Sequence, residues 1–386
     1  MKYDFDEIIP RRGTNSIKWD LDEDPGVLPM WVADMDFRTA PAVTEALRRR
    51  VEHGVFGYAK APQAYYDAVV NWFARRHGWR LEPEWILHTT GVIPALSAII
   101  KALTQSGDKV LVQTPVYNHF FISIRNSGCQ PAESPLIYRD GTYTADFDDL
   151  ECKAADPQVK LMLLCNPHNP AGRVWSPEEL RRIGEICLRN DVFIVADEIH
   201  CELVMPGHRY TPFGSLSEEF LRRSVTCASP SKAFNLAGLQ VANIFAADEA
   251  VRAKIDHSLD INETGEIGPF AIDALIAAYN EGGKWLDALN EYLDGNYRFL
   301  REYFAQHLPQ FPVLPLEGTY LAWVDCSATG LASDEIEARL LEREKLRINP
   351  GSMYGAAGRN FIRLNIACPR QLLAEGLERL RKFLAG

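Results

Sequence analysis

The chain has 386 residues, of which 47% are hydrophobic and 24% charged, and its formal net charge is −11. This composition predicts a folded globular protein with a large core and excludes a disordered chain. Its 41 basic residues are scattered among 52 acidic ones, which argues against nucleic-acid binding.

The sequence contains no signal for a membrane, an export route or a metal. No stretch approaches the roughly 20 apolar residues of a membrane span, and the first residues lack the apolar core of a signal peptide. We therefore expect a cytoplasmic protein. The eight cysteines are widely spaced without a Cys-x-x-Cys pair, which predicts reduced, mostly buried thiols. Cys165 and His168 have a ligand-like spacing, but no second pair accompanies them, so we expect no metal site.

Short β-branched runs alternate with longer amphipathic segments, which predicts an α/β fold with a parallel or mixed sheet covered by helices. A helix is expected from residue 177, because Ser176 and Glu179 form a capping box and Pro177 takes the first helical position. The predicted strands are residues 109–113, 160–165, 192–197, 224–229 and 242–247.

The pattern changes after about residue 283. A long helix containing Trp285, Leu289, Leu293 and Leu300 leads to short strands in "TYLAWVD" and "FIRLNIA" and then to a closing helix. This change predicts a large domain of residues 45–283 and a smaller α+β domain formed by residues 1–44 and 284–386.

Polar residues follow four of the predicted strands. "KVLVQ" is followed by "TPVYNHF", "KLMLLC" by "NPHNPAG", "VFIVAD" by "EIH", and "SVTCAS" by "PSK". In open α/β sheets, ligands bind beyond the carboxyl ends of the strands. The four segments therefore predict one shared site.

Two ionisable residues in these segments have alternative interpretations. Asp197 ends an apolar strand, so it either needs a cationic partner or caps the next helix. Lys232 lies among small residues, where a partly desolvated amine would be neutral enough to form a Schiff base with an aldehyde, although most lysines are simply solvated. Ser229 and Ser231 beside it suit a phosphate. "TTGVIPAL" offers a second anion site, since Gly91, Val92 and Ile93 would open a helix.

Taken together, these segments resemble the pyridoxal-phosphate enzymes of the aspartate aminotransferase fold. The resemblance rests on an Asn-Pro-x-Asn-Pro-x-Gly segment, "DEIH", a Ser-x-Ser-Lys segment and "RLNIA", in that order. "LPMWVADMDF", "HGVFGY", "CNPHNPAGRVW", "DEIHCEL" and "PSKAFNLAGL" are more specifically similar to the MalY/PatB-type cystathionine β-lyases, the carbon–sulfur lyase branch. The implied fold is a large domain with a mixed, mainly parallel sheet and a smaller α+β domain.

The resemblance implies roles for the residues around the cofactor ring. Lys232 matches the lysine that binds pyridoxal 5′-phosphate (PLP) covalently, and Asp197 matches the carboxylate that pairs with the pyridinium nitrogen. Asn169 matches the residue that hydrogen-bonds the ring 3-hydroxyl oxygen. His200 stands where many aminotransferases have a tyrosine facing that oxygen. Tyr117 matches the aromatic residue that stacks on the ring.

It also implies how the phosphate is held. Ser229, Ser231 and the backbone amides of Val92 and Ile93 match phosphate ligands. Tyr58 matches a tyrosine that reaches the phosphate of the neighbouring subunit and is counted with the lysine among the catalytic residues. A homodimer with shared active sites follows from that match.

The substrate end is implied by three further positions. Arg363 in "RLNIA" matches the arginine that grips the substrate α-carboxylate, although in isolation it could equally be an exposed ion-pair member. Ala33 and Asp34 align with a segment that closes over the substrate and are pocket candidates. One position departs from the pattern: many aminotransferases have a phosphate-binding arginine where this chain has Gln240.

The implied activity is β-elimination of L-cystathionine or a related thioether to thiol, pyruvate and ammonia, in the amino-acid metabolism of methionine biosynthesis. The alternative within the same fold is transamination between an L-amino acid and a 2-oxo acid. The absence of the arginine at position 240 weakens this alternative but does not exclude it. A non-catalytic regulatory protein is the alternative outside it. Hydrolase and nicotinamide-enzyme motifs are missing from the sequence.

Overall fold

The fold contains fourteen α-helices and fourteen strands in residues 3–385, the part of the chain that the computed structural model describes. The helices are α1 (Ile17–Asp20), α2 (Pro41–His53), α3 (Gln63–His77), α4 (Val92–Leu103), α5 (Asn118–Asn126), α6 (Phe147–Ala154), α7 (Pro177–Arg189), α8 (Glu218–Arg222), α9 (Pro230–Ala233), α10 (Glu249–Ile261), α11 (Pro269–Glu281), α12 (Gly283–His307), α13 (Ser333–Glu344) and α14 (Arg370–Ala385). The strands are β1 (Leu28–Pro29), β2 (Ile86–Thr89), β3 (Lys109–Thr114), β4 (Gln130–Pro135), β5 (Ile137–Arg139), β6 (Thr142–Thr144), β7 (Val159–Cys165), β8 (Phe193–Asp197), β9 (Ser224–Ala228), β10 (Ala242–Phe245), β11 (Leu321–Asp325), β12 (Leu346–Arg347), β13 (Asn349–Pro350) and β14 (Phe361–Asn365).

A seven-stranded sheet forms the centre of the molecule, with the strand order β2-β10-β9-β8-β7-β3-β4. The strands from β9 to β4 are parallel, and β10 runs antiparallel to both of its neighbours. The carboxyl ends of β3, β7, β8 and β9 therefore lie side by side at one edge of the sheet. This mixed, mainly parallel α/β architecture confirms the predicted fold class.

Both faces of the sheet are covered, which explains the uninterrupted apolar runs of its strands. In β3, Val110 and Val112 belong to one core with the residues of α4, while Leu111 points to the opposite core with Leu180 of α7. All of these side chains are fully buried. A strand with both faces buried is therefore expected to contain consecutive apolar residues.

The five predicted central strands are present, with ends that differ from the prediction by one or two residues. Helix α7 begins at Pro177 with the expected reciprocal capping box between Ser176 and Glu179. Two further strands of the same sheet, β2 and β4, were not predicted. Strand β4 reads "QPAESP" and lies at the edge of the sheet, where proline is tolerated because one side of the strand needs no hydrogen bonds.

A second, three-stranded antiparallel sheet has the order β11-β14-β13 and contains the two strands predicted near the carboxyl end. The short strand β1 pairs with β12, which joins the amino-terminal segment to this region. The division into residues 45–283 and the remainder stays a prediction. Its first boundary falls inside α2, and residues 1, 2 and 386 lie outside the described part.

Two further features concern the cysteines and the helices. All eight cysteines are free thiols, and seven are buried while Cys152 is exposed. Among residues 3–385, no helix combines the length and apolar character needed to cross a membrane.

Candidate active site

A cavity of about 310 Å³ lies at the carboxyl ends of β3, β7, β8 and β9. It contains one carboxylate, one amine and one guanidinium among the described residues that line it, from Asp197, Lys232 and Arg363. The predicted site residues that line this cavity are Ala33, Val92, Ile93, Tyr117, Asn169, Asp197, His200, Ser231, Lys232 and Arg363.

Asp197 is a buried carboxylate without a cationic partner. It ends β8, between Cys165 of β7 and Cys227 of β9, and its side chain is 3% exposed. Its carboxylate accepts a hydrogen bond from the Ile199 N–H at 3.2 Å, and no described cation lies within ion-pair distance. Burial raises the pKa of Asp197 to about 7. A cationic ligand group would remove this penalty.

We expect Asp197→Asn to stabilise the ligand-free chain at alkaline pH. Because the pKa of Asp197 is raised to about 7, the folded chain retains a proton that the unfolded chain loses at about pH 4. The free energy of unfolding of the unmodified chain should therefore fall as the pH rises through this range, by up to about 4 kcal/mol. Urea unfolding of both chains at about pH 4 and about pH 8 measures this effect. A difference between them that does not change with pH contradicts it.

Lys232 is the amine of the cavity. It lies in the short helix α9, whose first turn is capped by the Ser229 hydroxyl, and its Nζ donates a hydrogen bond to the Ala33 carbonyl oxygen at 2.6 Å. Burial and the nearby Arg363 lower the pKa of Lys232 to about 8, although Asp34 and Asp197 act in the opposite direction. An appreciable fraction of this amine is therefore neutral and nucleophilic near neutral pH.

Arg363 is a buried guanidinium without a carboxylate partner among the described residues. It lies on β14, is 3% exposed, and packs over the Tyr354 ring with 5.0 Å between the guanidinium carbon and the ring centroid. Its Nη1 donates to Asn169 Oδ1 at 3.1 Å, and its Nη2 donates to the Trp31 carbonyl oxygen at 2.8 Å. The Nε–H is buried with no acceptor. This free edge suits the carboxylate of a ligand.

Two ring-bearing side chains beside these charges are neutral. Tyr117 precedes α5, and burial raises its pKa to about 12. Burial, together with Lys232 and Arg363, lowers the pKa of His200 to about 3. The His200 Nδ1 atom is buried without a hydrogen-bond partner, which is a further indication that a polar ligand belongs here.

One end of the cavity is suited to an anion. Helix α4 begins there at Val92 after Gly91, so the backbone N–H groups of its first turn have no acceptor within the helix. Ser231 and Gln240 also line the cavity, and Gln240 has a left-handed backbone conformation with a φ of 54°. No arginine other than Arg363 lines the cavity among the described residues.

Three predicted residues do not line the cavity. The Ser229 hydroxyl lies 2.8 Å from that of Ser231 and caps α9, so its contribution is to orient its neighbour. The Asp34 carboxylate pairs with Arg11 at 2.6 Å. Tyr58 is fully exposed and lies beside a different surface cavity. A direct role of Tyr58 in this cavity therefore requires a second chain.

The sequence reasoning missed several residues of the cavity. Trp31, His119, Asn349, Met353 and Tyr354 all line it. Trp31 lies within the "LPMWVADMDF" segment, so the motif contained a signal for it. The segment from Asn349 to Tyr354, which begins with β13, has no charge or periodicity that marks it in the sequence.

Outside the cavity, His77, Cys201 and Glu202 have potential ligand atoms within 4.8 Å of one another. Glu202 Oε1 already accepts hydrogen bonds from Trp72 Nε1 and lies 2.6 Å from His77 Nε2. Arg76 lies 3.5 Å from the other oxygen. This carboxylate is compensated by the protein, and we infer no metal site from the group.

Comparisons with known proteins agree with the geometry. The sequence matches the family model for aminotransferase class I and II over residues 26–380. It is 45% identical to the cystathionine beta-lyase PatB of Bacillus subtilis (strain 168), over 99% of this chain and 100% of that protein. The chain therefore belongs to the aminotransferase class I and II family.

Two solved structures are similar over the whole chain. Cystalysin from Treponema denticola, described as containing a pyridoxal 5′-phosphate cofactor, has a TM-score of 0.97 and 36% identity, covering 100% of this chain and 99% of that one. The PLP-bound C-S lyase from Staphylococcus hominis has a TM-score of 0.93 and 34% identity, covering 99% of each chain. The resemblance to carbon–sulfur lyases that the sequence motifs indicated is confirmed.

Proposed function

We propose that this protein is a PLP-dependent carbon–sulfur β-lyase that converts L-cystathionine or a related cysteine thioether to a thiol, pyruvate and ammonia. The observation that carries the proposal is a set of three ionisable side chains in one cavity, those of Asp197, Lys232 and Arg363, none of which forms an ion pair with another described residue. The similarity to a cystathionine beta-lyase and to C-S lyases supports the choice of reaction.

The residues of the cavity fit PLP. Asp197 suits a protonated ring nitrogen, because it is buried and forms no ion pair with another described residue. Lys232 suits the aldehyde, and Asn169 and the unpartnered His200 suit the 3-hydroxyl group. Tyr117 lines the cavity where an aromatic ring can stack.

The phosphate group fits the end of the cavity that is suited to an anion, where helix α4 begins. The free N–H groups of Val92 and Ile93 and the Ser231 hydroxyl are available there. In place of the arginine found in many aminotransferases, Gln240 offers only an uncharged amide. The helix amino terminus and the hydroxyl must therefore contribute more to phosphate binding.

When bound, PLP supplies an aldehyde that joins an amine covalently and a protonated ring that accepts electrons released at the substrate Cα. Arg363 holds the substrate carboxylate through its free edge and so fixes the orientation of Cα. Lys232, whose pKa is lowered to about 8, accepts the Cα proton at Nζ as general base. Asp197 retains its negative charge opposite the ring nitrogen.

Product analysis tests the proposed reaction directly. Purified protein loaded with PLP is incubated with L-cystathionine and no 2-oxo acid, and pyruvate and free thiol are measured against the number of active sites. The proposal expects both products to accumulate over many turnovers. Loss of one equivalent of cystathionine per active site, with neither pyruvate nor free thiol released, would instead identify an aminotransferase. No consumption of cystathionine would reject both reactions.

We also propose that the protein is a homodimer in which Tyr58 completes the site of the neighbouring chain. Val55, Phe56 and Tyr58 form an exposed apolar and aromatic segment in the single chain, in which only Phe56 has a ring contact, with Phe270, among the described residues. Lys232 and Arg363 are the only lysine and arginine side chains among the described residues that line the cavity, so a partner's tyrosine would add a further hydrogen-bond donor for the phosphate. A cytoplasmic location and a place in methionine biosynthesis remain predictions.

A mixing experiment should reveal the shared site. Tyr58→Ala and Lys232→Ala homodimers should both be strongly impaired. After subunit exchange, half of the dimers contain one chain of each kind, and one of their two sites combines a wild-type lysine with a wild-type tyrosine. Activity should therefore recover to about a quarter of the wild-type value. Mixing without recovery, with exchange verified by differently tagged chains, contradicts a tyrosine supplied by the partner.

A further inference from the structure

The segment of residues 31–36, which we call the strap, contacts the two cations of the cavity through its backbone. The Ala33 carbonyl oxygen accepts from Lys232 Nζ at 2.6 Å, and the Trp31 carbonyl oxygen accepts from Arg363 Nη2 at 2.8 Å. The position of the strap therefore affects both the Lys232 amine and the edge of Arg363 that we assign to the substrate carboxylate.

The strap is anchored to the elements that carry these cations. Asn235, three residues after Lys232, donates to the Met35 carbonyl oxygen at 2.9 Å and accepts from the Met35 N–H at 3.0 Å. Asn365, two residues after Arg363, donates to the Val32 carbonyl oxygen at 2.6 Å. These bonds hold the inner side of the strap.

Its outer side is held by charges from the amino-terminal segment. Lys18 is 1% exposed and its Nζ lies 2.7 Å from Asp36 Oδ2, while Asp36 itself is 4% exposed. Arg11 bridges both acidic residues of the strap, with Nη1 2.6 Å from Asp36 and Nη2 2.6 Å from Asp34. Trp19 Nε1 donates to Asp36 Oδ1 at 2.8 Å.

A buried ionic group of this kind has a large desolvation cost, so its geometry is tightly determined. Burial opposes the charged form of Asp36, yet Lys18, Trp19 and Arg11 hold its pKa below the usual range. The ion pairs of Lys18 and Arg11 with Asp34 and Asp36 form together when the strap lies in the position seen here.

We propose that Lys18 and Arg11 are positioning residues, which hold the strap so that its Ala33 and Trp31 carbonyls face Lys232 and Arg363. The significance of this for substrate binding rests on the proposed function. The effect on the strap itself does not depend on it.

The test compares Lys18→Met and Arg11→Met with Lys109→Met, which removes a Lys109–Asp156 ion pair of 2.7 Å at the far end of β3. The first readout is amide hydrogen exchange in the full chain without cofactor. The Met35 N–H, bonded to Asn235, and the Asp36 N–H, bonded to Ala367 at 2.9 Å, should exchange about tenfold faster or more in the first two variants. In Lys109→Met they should be unchanged.

The second readout is steady-state kinetics of the PLP-loaded enzyme with L-cystathionine. Displacing the Trp31 carbonyl releases Arg363, so KM should rise about tenfold while kcat changes less. A purely structural role of Lys18 would lower thermal stability and leave KM at its wild-type value. Lys109→Met should retain both kinetic constants.

Folded Lys18→Met and Arg11→Met proteins with wild-type exchange at Met35 and Asp36 would overturn the proposal. If Lys18→Met does not fold, Arg11→Met decides, since the Arg11 side chain is 20% exposed and its loss is tolerated more easily. If the unmodified protein shows no lyase activity, the proposed function fails, and the exchange measurement still decides the role of the strap.

Discussion

Lys232→Ala should reduce turnover of L-cystathionine by at least about 10³-fold. The reason is that Lys232 is the only lysine among the described residues that line the cavity, so no other amine there can bind an aldehyde or accept the Cα proton. The fold should be unaffected, because the side chain makes a single hydrogen bond, to the Ala33 carbonyl oxygen. Pyruvate release under saturating substrate measures the effect.

A matched control separates this loss from a general effect of removing a lysine. Lys101 donates to Asn262 at the surface, and Lys101→Ala should retain full activity. Methylamine in the buffer should restore part of the turnover of Lys232→Ala, since the truncated side chain leaves room for a small amine. A Lys232→Ala protein as active as the unmodified chain would contradict the assignment of the amine.

Arg363→Leu is expected to lower kcat/KM for L-cystathionine by about 10²- to 10³-fold. The substitution removes the only guanidinium that lines the described cavity, together with the free Nε–H edge that we assign to the substrate carboxylate. The kcat/KM of Arg363→Lys should lie between the values of the unmodified protein and of Arg363→Leu, because lysine keeps the charge and loses the planar fork.

A substrate without an α-carboxylate distinguishes lost binding from a damaged cavity. Arg363 also donates to Asn169 and to the Trp31 carbonyl oxygen, so its removal leaves two acceptors unpaired. If the carboxylate assignment is right, a thioether amine lacking the carboxylate should react poorly and at similar rates with the unmodified and Leu variants. An equal fall for both substrates would show that the cavity itself had been disturbed.

The central strands were predictable because each is buried on both faces. β3, β7 and β8 each contain a run of consecutive apolar residues, at 110–112, 161–165 and 193–196, and a polar residue follows each run directly. These polar residues converge because the strands are parallel. Asp197 and Lys232 could be placed at one edge of a sheet from this pattern. Arg363 could not, since it alternates with apolar residues on a strand of another sheet and only the resemblance indicated its role.

The resemblance placed Ala33 and Asp34 of the strap near the substrate, but no sequence pattern indicated the residues that anchor the strap. Residues 31–36 have no helical or strand period, and their function in the structure depends on backbone carbonyls, which every residue has. Lys18 reads as an ordinary surface lysine, yet it is buried against Asp36. Such pairs join residues that are distant in sequence, and a single sequence contains no signal for them. The proposed role of the exposed Tyr58 likewise depends on a second chain, which the sequence of one chain does not show.

The most direct test of the account is the identity of the residue that binds PLP. The protein is loaded with PLP, reduced with borohydride so that any link to an amine becomes permanent, and digested for mass spectrometry. We predict one phosphopyridoxyl group per chain, on the peptide containing Lys232. Labelling of another lysine, or no labelling after PLP is supplied in excess, would contradict the proposed active site.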